Sequence, residues 1–218
     1  MSINYNDIIV FDFETGSKDP NTCEPLSLAA SVLDCRTLEL KSSNFEILIQ
    51  PTNWDNVEAE ALAVNKLKRE DIETKGVPQR VAWESFSTFV KKFNKNGTVW
   101  SAPVACGHNI KKFDMTIVDR MCKLYGPTDA KDKQQTLFNR RDIIDLLDLC
   151  FLWFENNKEP DNYKLDTLRD FFGLSREGAH SAIVDVQQTA QIVSRFLKFH
   201  RRLSQKASFR GAFLNEGK

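Results

Sequence analysis

Ile8-Ile9-Val10-Phe11 is an unbroken hydrophobic run that passes into the alternation Asp12-Phe13-Glu14. A run this short, rich in β-branched and aromatic residues, predicts a buried strand over residues 7–13. Leu26–Leu33 and Leu38–Gln50 predict two more, joined by a turn near Asp34-Cys35-Arg36 as an antiparallel meander. The spacing becomes helical over Val57–Val64 and again over Val81–Phe93, with Pro78 just ahead of the second. Pro103–His108 reads as a short strand ending at Asn109, and Met115–Tyr125 as the helix that follows it. The polar stretch Gly126–Asn139 reads as a mobile loop. Asp142–Leu149 predicts a strand or a strand-to-helix junction, with helices at 148–156 and 164–173 after it. Ala182, Ile183, Val186, Ala190, Ile192 and Val193 then recur at a largely helical period and predict a long last helix. No internal repeat or low-complexity segment interrupts this order, and the chain reads as one domain, 1–218.

The first strand delivers two acids to its C-terminal end. Residues i and i+2 of a strand point to the same side, so Asp12 and Glu14 aim into one small volume. A solvated carboxylate or a helix cap is the bland reading of any single acid, but these two lie against a hydrophobic strand where surface charge is not expected. Crowded carboxylates raise one another's pKa unless a cation neutralises them. With Asp114 in CGHNIKKFD and Asp185 in HSAIVDVQQTA, the set suits two hard divalent cations, about 3.5–4 Å apart, as a phosphodiesterase uses them. His180, whose imidazole titrates near neutrality, is the candidate general base for an attacking water. It precedes Asp185 by five positions, about 140° off its face on an ideal helix. His180 therefore belongs on a loop or in the first turn, with Asp185 on the helix itself.

Asp12-Phe13-Glu14-Thr15-Gly16, His108-Asn109 with Phe113-Asp114, and His180-x-Ala182-x-x-Asp185 resemble, in order, the three motifs of the DEDDh-type 3′–5′ exonucleases. Two further segments are similar to the family: Glu60–Asn65 with Arg69–Ile72, and Leu165–Leu168 with Phe172-Gly173-Leu174. The resemblance covers about residues 7–198 and leaves a basic C-terminal extension, 199–218. It implies an α/β fold, a ribonuclease H-like mixed five-stranded sheet with helices on both faces. It also implies two Mg²⁺ or Mn²⁺ ions held by Asp12, Glu14, Asp114 and Asp185, with His180 as base. Thr15 and Gly16 enter as substrate-binding candidates beside the terminal nucleotide. The sequence departs from many relatives in two places. Three residues, Ile110-Lys111-Lys112, separate Asn109 from Phe113, and Gly16 follows Thr15 directly.

Composition narrows the partners. Lys+Arg and Asp+Glu balance at 30 each, so affinity for nucleic acid has to come from local patches and from bound cations. Lys111 and Lys112, close to Asp114, are the better candidates for holding the scissile strand. Lys198, Arg201, Arg202, Lys206 and Arg210 form a second basic stretch, and Trp54 in a polar loop is a candidate for base stacking. Asp145 and Asp148 read as structural or capping residues, and His108 as a hydrogen-bonded structural histidine. Five cysteines in no CxxC spacing, with a short polar N-terminus, suggest reduced thiols and a cytoplasmic setting. The apolar runs are strand-sized, so no membrane association is expected. The expected activity is removal of nucleoside 5′-monophosphates from single-stranded or frayed 3′ ends. DNA is favoured over RNA on likeness to proofreading-type relatives, and a polymerase or other replication or repair protein is a candidate partner. The rival readings are an exoribonuclease and a non-catalytic nucleic-acid-binding module.

Overall fold

A computed structural model describes residues 6–178 and 181–206. β1 (Ile8–Thr15), β2 (Pro25–Leu33) and β3 (Leu40–Gln50) form the expected meander, β2 pairing antiparallel with both neighbours. Helices α1 (Ala59–Val64) and α2 (Arg69–Lys75) lead to the two-residue β4 (Val77–Pro78) and then to α3 (Gln79–Lys91). β5 (Val104–Gly107), α4 (Asp114–Tyr125), β6 (Ile143–Asp145), α5 (Leu146–Phe154), α6 (Leu165–Phe171) and α7 (Ala182–Lys206) complete the chain. The strand order is β4-β3-β2-β1-β5-β6, with β5 joining β1, β6 joining β5 and β4 joining β3 in parallel.

The sheet thus has six strands where five were expected. The sixth, β4, pairs only at Ile49↔Val77 and Gln50↔Pro78, too short to leave an alternating pattern in the sequence. It sits at the sheet edge, where a proline without an N–H is tolerated. The stretch Gly126–Asn139 also departs from the reading as a loop throughout. Thr128 and Gln135 form an isolated bridge, and Leu137 and Phe138 are buried, so its second half is anchored in the core.

Alternation along β1 divides the core. Ile9, Phe11 and Phe13 enter a cluster with Trp83, Phe86, Ile117 and Phe138, under α3 and α4. Ile8 and Val10 enter a second cluster with Leu146, Leu168, Val186 and Val193, under α5, α6 and α7. Helices therefore cover both faces, as expected. The first cluster is held by ring contacts: Phe11 stacks on Phe138 at 5.0 Å and meets Phe86 at 5.7 Å. Each such ring, once buried, contributes about 1.5–3 kcal/mol relative to exposure. No helix among the described residues is long and apolar enough to cross a membrane. All five cysteines are free and buried.

Candidate active site

Asp12 and Glu14 extend the Ile8–Val10 row of β1 past the point where β5 stops pairing, so they emerge at the end of the sheet on the α7 side. Both are half-buried, while Phe13 between them is sealed in the opposite core. Asp114 opens α4, is 2% exposed, and accepts the backbone N–H of Phe13 at 2.9 Å. That bond ties the second motif directly to the first strand. Asp185 lies in the first turn of α7, as its helical spacing predicted. His180 lies outside the described residues.

Between Gly107 and Asp114 the chain has to reverse tightly. Asn109 adopts a φ of 61°, a conformation asparagine tolerates better than most residues. A Cβ at Gly107 would stand 2.9 Å from the Phe11 carbonyl oxygen, so only glycine lets the end of β5 lie this close to β1. Asp145 fastens the turn from below, accepting the N–H groups of Asn109 (3.0 Å), Lys111 (3.1 Å) and Leu147 (3.0 Å). It caps α5 as well, which is the structural role its sequence context suggested. His108 bonds the Tyr163 carbonyl through Nε2 at 2.7 Å, and it also faces the site.

A cavity of about 570 Å³ opens over these residues, lined by Asp12, Glu14, Thr15, Asp114, His108 and Asn109, with Asn65, Phe113, Leu147, Tyr163 and Lys164 as its walls. Thr15 is buried there, its hydroxyl donating to the Ser17 carbonyl and its own carbonyl accepting from Asn65 at 3.0 Å. Gly16 packs against Val57. A Cβ would meet the Val57 side chain at 3.0 Å, so the space beside Gly16 is taken by protein. Lys111 and Lys112 are exposed and do not line the cavity, and Lys111 pairs with Asp148 at 2.5 Å. Ile110, just before them, is fully buried, while both lysines stay exposed. Trp54 is also away from the cavity, its ring covered by the Arg69 guanidinium at 4.4 Å. In the basic stretch of α7, Lys198 pairs with Glu39 and Arg201 bonds the carbonyls of Cys35 and Arg36. The cavity walls that the sequence reading missed, Asn65, Tyr163 and Lys164, come from two loops far apart in the chain. The cues are indirect: Asn65 closes the family-like segment Glu60–Asn65, and Lys164 stands at the start of the expected helix 164–173, whereas α6 begins at Leu165.

The acids are in electrostatic conflict. Burial, then the charge of Asp185, pushes the Asp12 carboxyl up to about 7. Burial, then Asp12 and Asp185, pushes Glu14 up to about 8. Asp114 is held well above the ordinary carboxylate range by burial and Asp12, against the opposing pull of the Phe13 N–H. Since the folded chain holds these protons more tightly than the unfolded chain, stability falls as pH rises from the ordinary values, 3.8 and 4.5, through about 7 and 8. Thermal melts in chelator should therefore show a midpoint that drops across that window. A flat profile would mean that burial and mutual repulsion do not hold these protons as described.

Hard oxygen donors that resist ionisation together are the donor set that suits divalent cations. Among the described residues no three acidic, imidazole or thiol side chains form a ready-made cage for a single ion.

Residues 9–193 match the family model described as exonuclease, RNase_T. Protein NEN2 of Arabidopsis thaliana is 24% identical over 163 residues, 75% of this chain and 29% of NEN2. E. coli exonuclease I, solved in a zinc-bound form with single-stranded DNA, superposes with a TM-score of 0.71 at 17% identity, over 92% of this chain and 42% of the exonuclease. The cell-death related nuclease CRN-4 superposes with a TM-score of 0.69 at 16% identity, over 90% of this chain and 65% of its own. The chain thus spans less than two thirds of the length of each of these relatives. The family model spans most of the chain, from before Asp12 to beyond Asp185, and the fold is that of exonuclease I and CRN-4: the chain belongs to the RNase_T exonuclease family, and its motifs resemble those of the DEDDh-type 3′–5′ exonucleases.

Proposed function

We propose that the chain is a metal-dependent 3′–5′ exonuclease that shortens single-stranded or frayed nucleic-acid ends to nucleoside 5′-monophosphates. The observation that carries this is the convergence of acids from β1, α4 and α7 on one end of the sheet, with proton affinities raised by burial and by one another. Asp12, Glu14, Asp114 and Asp185 would hold two divalent cations, Mg²⁺ or Mn²⁺. When bound, such ions neutralise the acids, activate a water and stabilise the leaving oxygen of an in-line displacement. His180 takes the proton of the attacking water. Thr15, fixed by Asn65 and Ser17, and the Phe113 and Tyr163 walls position the terminal nucleotide, while Lys164 offers a cation to its phosphate. A cavity of about 570 Å³ fits one nucleotide better than a duplex, which supports action at a frayed or single-stranded end. Single-stranded DNA bound to E. coli exonuclease I supports the preference for DNA over RNA.

The test compares 5′-labelled DNA and RNA oligonucleotides, single- and double-stranded, across Mg²⁺ and Mn²⁺ concentrations. A ladder receding from the 3′ end, with mononucleotide product and faster loss of DNA, is the expected result. Binding without shortening at any metal concentration would replace the enzyme by a binding module. Faster trimming of RNA would replace the DNA preference by the exoribonuclease reading.

A further inference from the structure

Arg169, in α6, is 1% exposed and belongs with Trp83 among the largest fully buried side chains. A guanidinium keeps its charge in proteins, so burying one demands compensation at several donors at once. Arg169 finds it in three side chains. Its Nε donates to Gln188, one terminal nitrogen to Asp166 and the other to Asp185. Gln188 lies one turn beyond Asp185 on α7 and passes the connection on, donating to the Ser175 carbonyl at 2.8 Å. Asp185 in turn faces a smaller cavity of about 190 Å³, shared with Asp12, His108 and Leu165.

We infer that Arg169 is a positioning residue for the metal site, fixing the plane of the Asp185 carboxylate through a rigid fork anchored on Gln188 and Asp166. The inference rests on the metal-dependent reading given above. A planar, delocalised cation with fixed donor directions commits one Asp185 oxygen and thereby the tilt of the whole carboxylate. A lysine ammonium at this position is a point charge on a flexible stem and cannot span the three acceptors. The bland account, a clamp that only holds α6 against α7, predicts lost stability and nothing more.

Mn²⁺ binding by calorimetry, run with thermal melts and single-turnover kinetics on the same preparations, separates the two. Arg169→Lys and Arg169→Met should each weaken one Mn²⁺ by about 10–100-fold, the usual cost of removing a group that orients a metal ligand. The turnover number should fall with them, while KM for a DNA oligonucleotide stays within experimental scatter. Asp166→Asn removes a half-exposed partner, keeps the fold, and should shift Mn²⁺ affinity in the same direction by a smaller factor, so the idea is tested even where the Arg169 variants do not fold. A lower melting temperature with unchanged Mn²⁺ affinity would leave only the clamp. Tighter Mn²⁺ binding by Arg169→Met would make the guanidinium an electrostatic competitor of the cation and overturn the positioning role. A parent protein that binds no Mn²⁺ removes the metal-dependent reading itself, an outcome distinct from intact binding that ignores Arg169.

Discussion

Asp12→Asn should lower turnover by several orders of magnitude and, in chelator, raise the melting temperature. Both effects follow from one change, since the amide keeps the size of the side chain but removes a charge from a group of acids that repel one another. Without cations the loss of repulsion stabilises the fold. With cations, one of the ligands that must offset two dications is gone, and stabilisation of the developing charge at phosphorus goes with it. Opposite signs in the two assays make the result hard to mimic by damage to the fold, because a misfolded variant loses both. Near-normal Mg²⁺-supported degradation by Asp12→Asn would sink the two-metal assignment.

His180→Ala should retain metal and oligonucleotide binding while losing about 10²–10⁴-fold in the chemical step, the contribution of a positioned general base. The acidic limb of the pH–rate profile should flatten in the variant, since the group responsible for it is removed. If the imidazole serves only the start of α7, the variant melts lower but its single-turnover rate per folded molecule is unchanged. Single-turnover rates and melts on the same preparation decide between these outcomes.

How far the chain could be read depended on how local each cue was. The meander, the β5–α4 turn and α7 announce themselves by alternation or helical spacing within a few residues, and the acids of β1, α4 and α7 came with them. β4 escaped because two residues carry no period, and α2 because its seven residues are nearly all charged and bury only Ile72. The anchored half of Gly126–Asn139 was hidden behind the polar residues that precede it. Arg169 looked like an ordinary charge in Asp166-Thr167-Leu168-Arg169-Asp170. Its acceptors on α7 stand 16 and 19 positions further on, and only the folded chain brings them together. The two lysines before Asp114 are near it in sequence yet lie outside the cavity, because Ile110 takes the inward position.

The acids on β1 stand on a strand whose first four residues are buried. Their row begins in the hydrocarbon of Ile8 and Val10, the strand is paired along both edges at its start, and the Phe13 amide is committed to Asp114. Amide hydrogens from Val10 to Phe13 should therefore exchange with solvent only when the whole protein opens, as slowly as any in the chain, which exchange monitored by mass spectrometry or NMR can measure. The reacting centre then has no private route to loosening. Any change of shape that admits a strand or releases a nucleotide has to be made by the surrounding walls, the Asn65 segment and the Tyr163-Lys164 loop, moving against carboxylates that stay still.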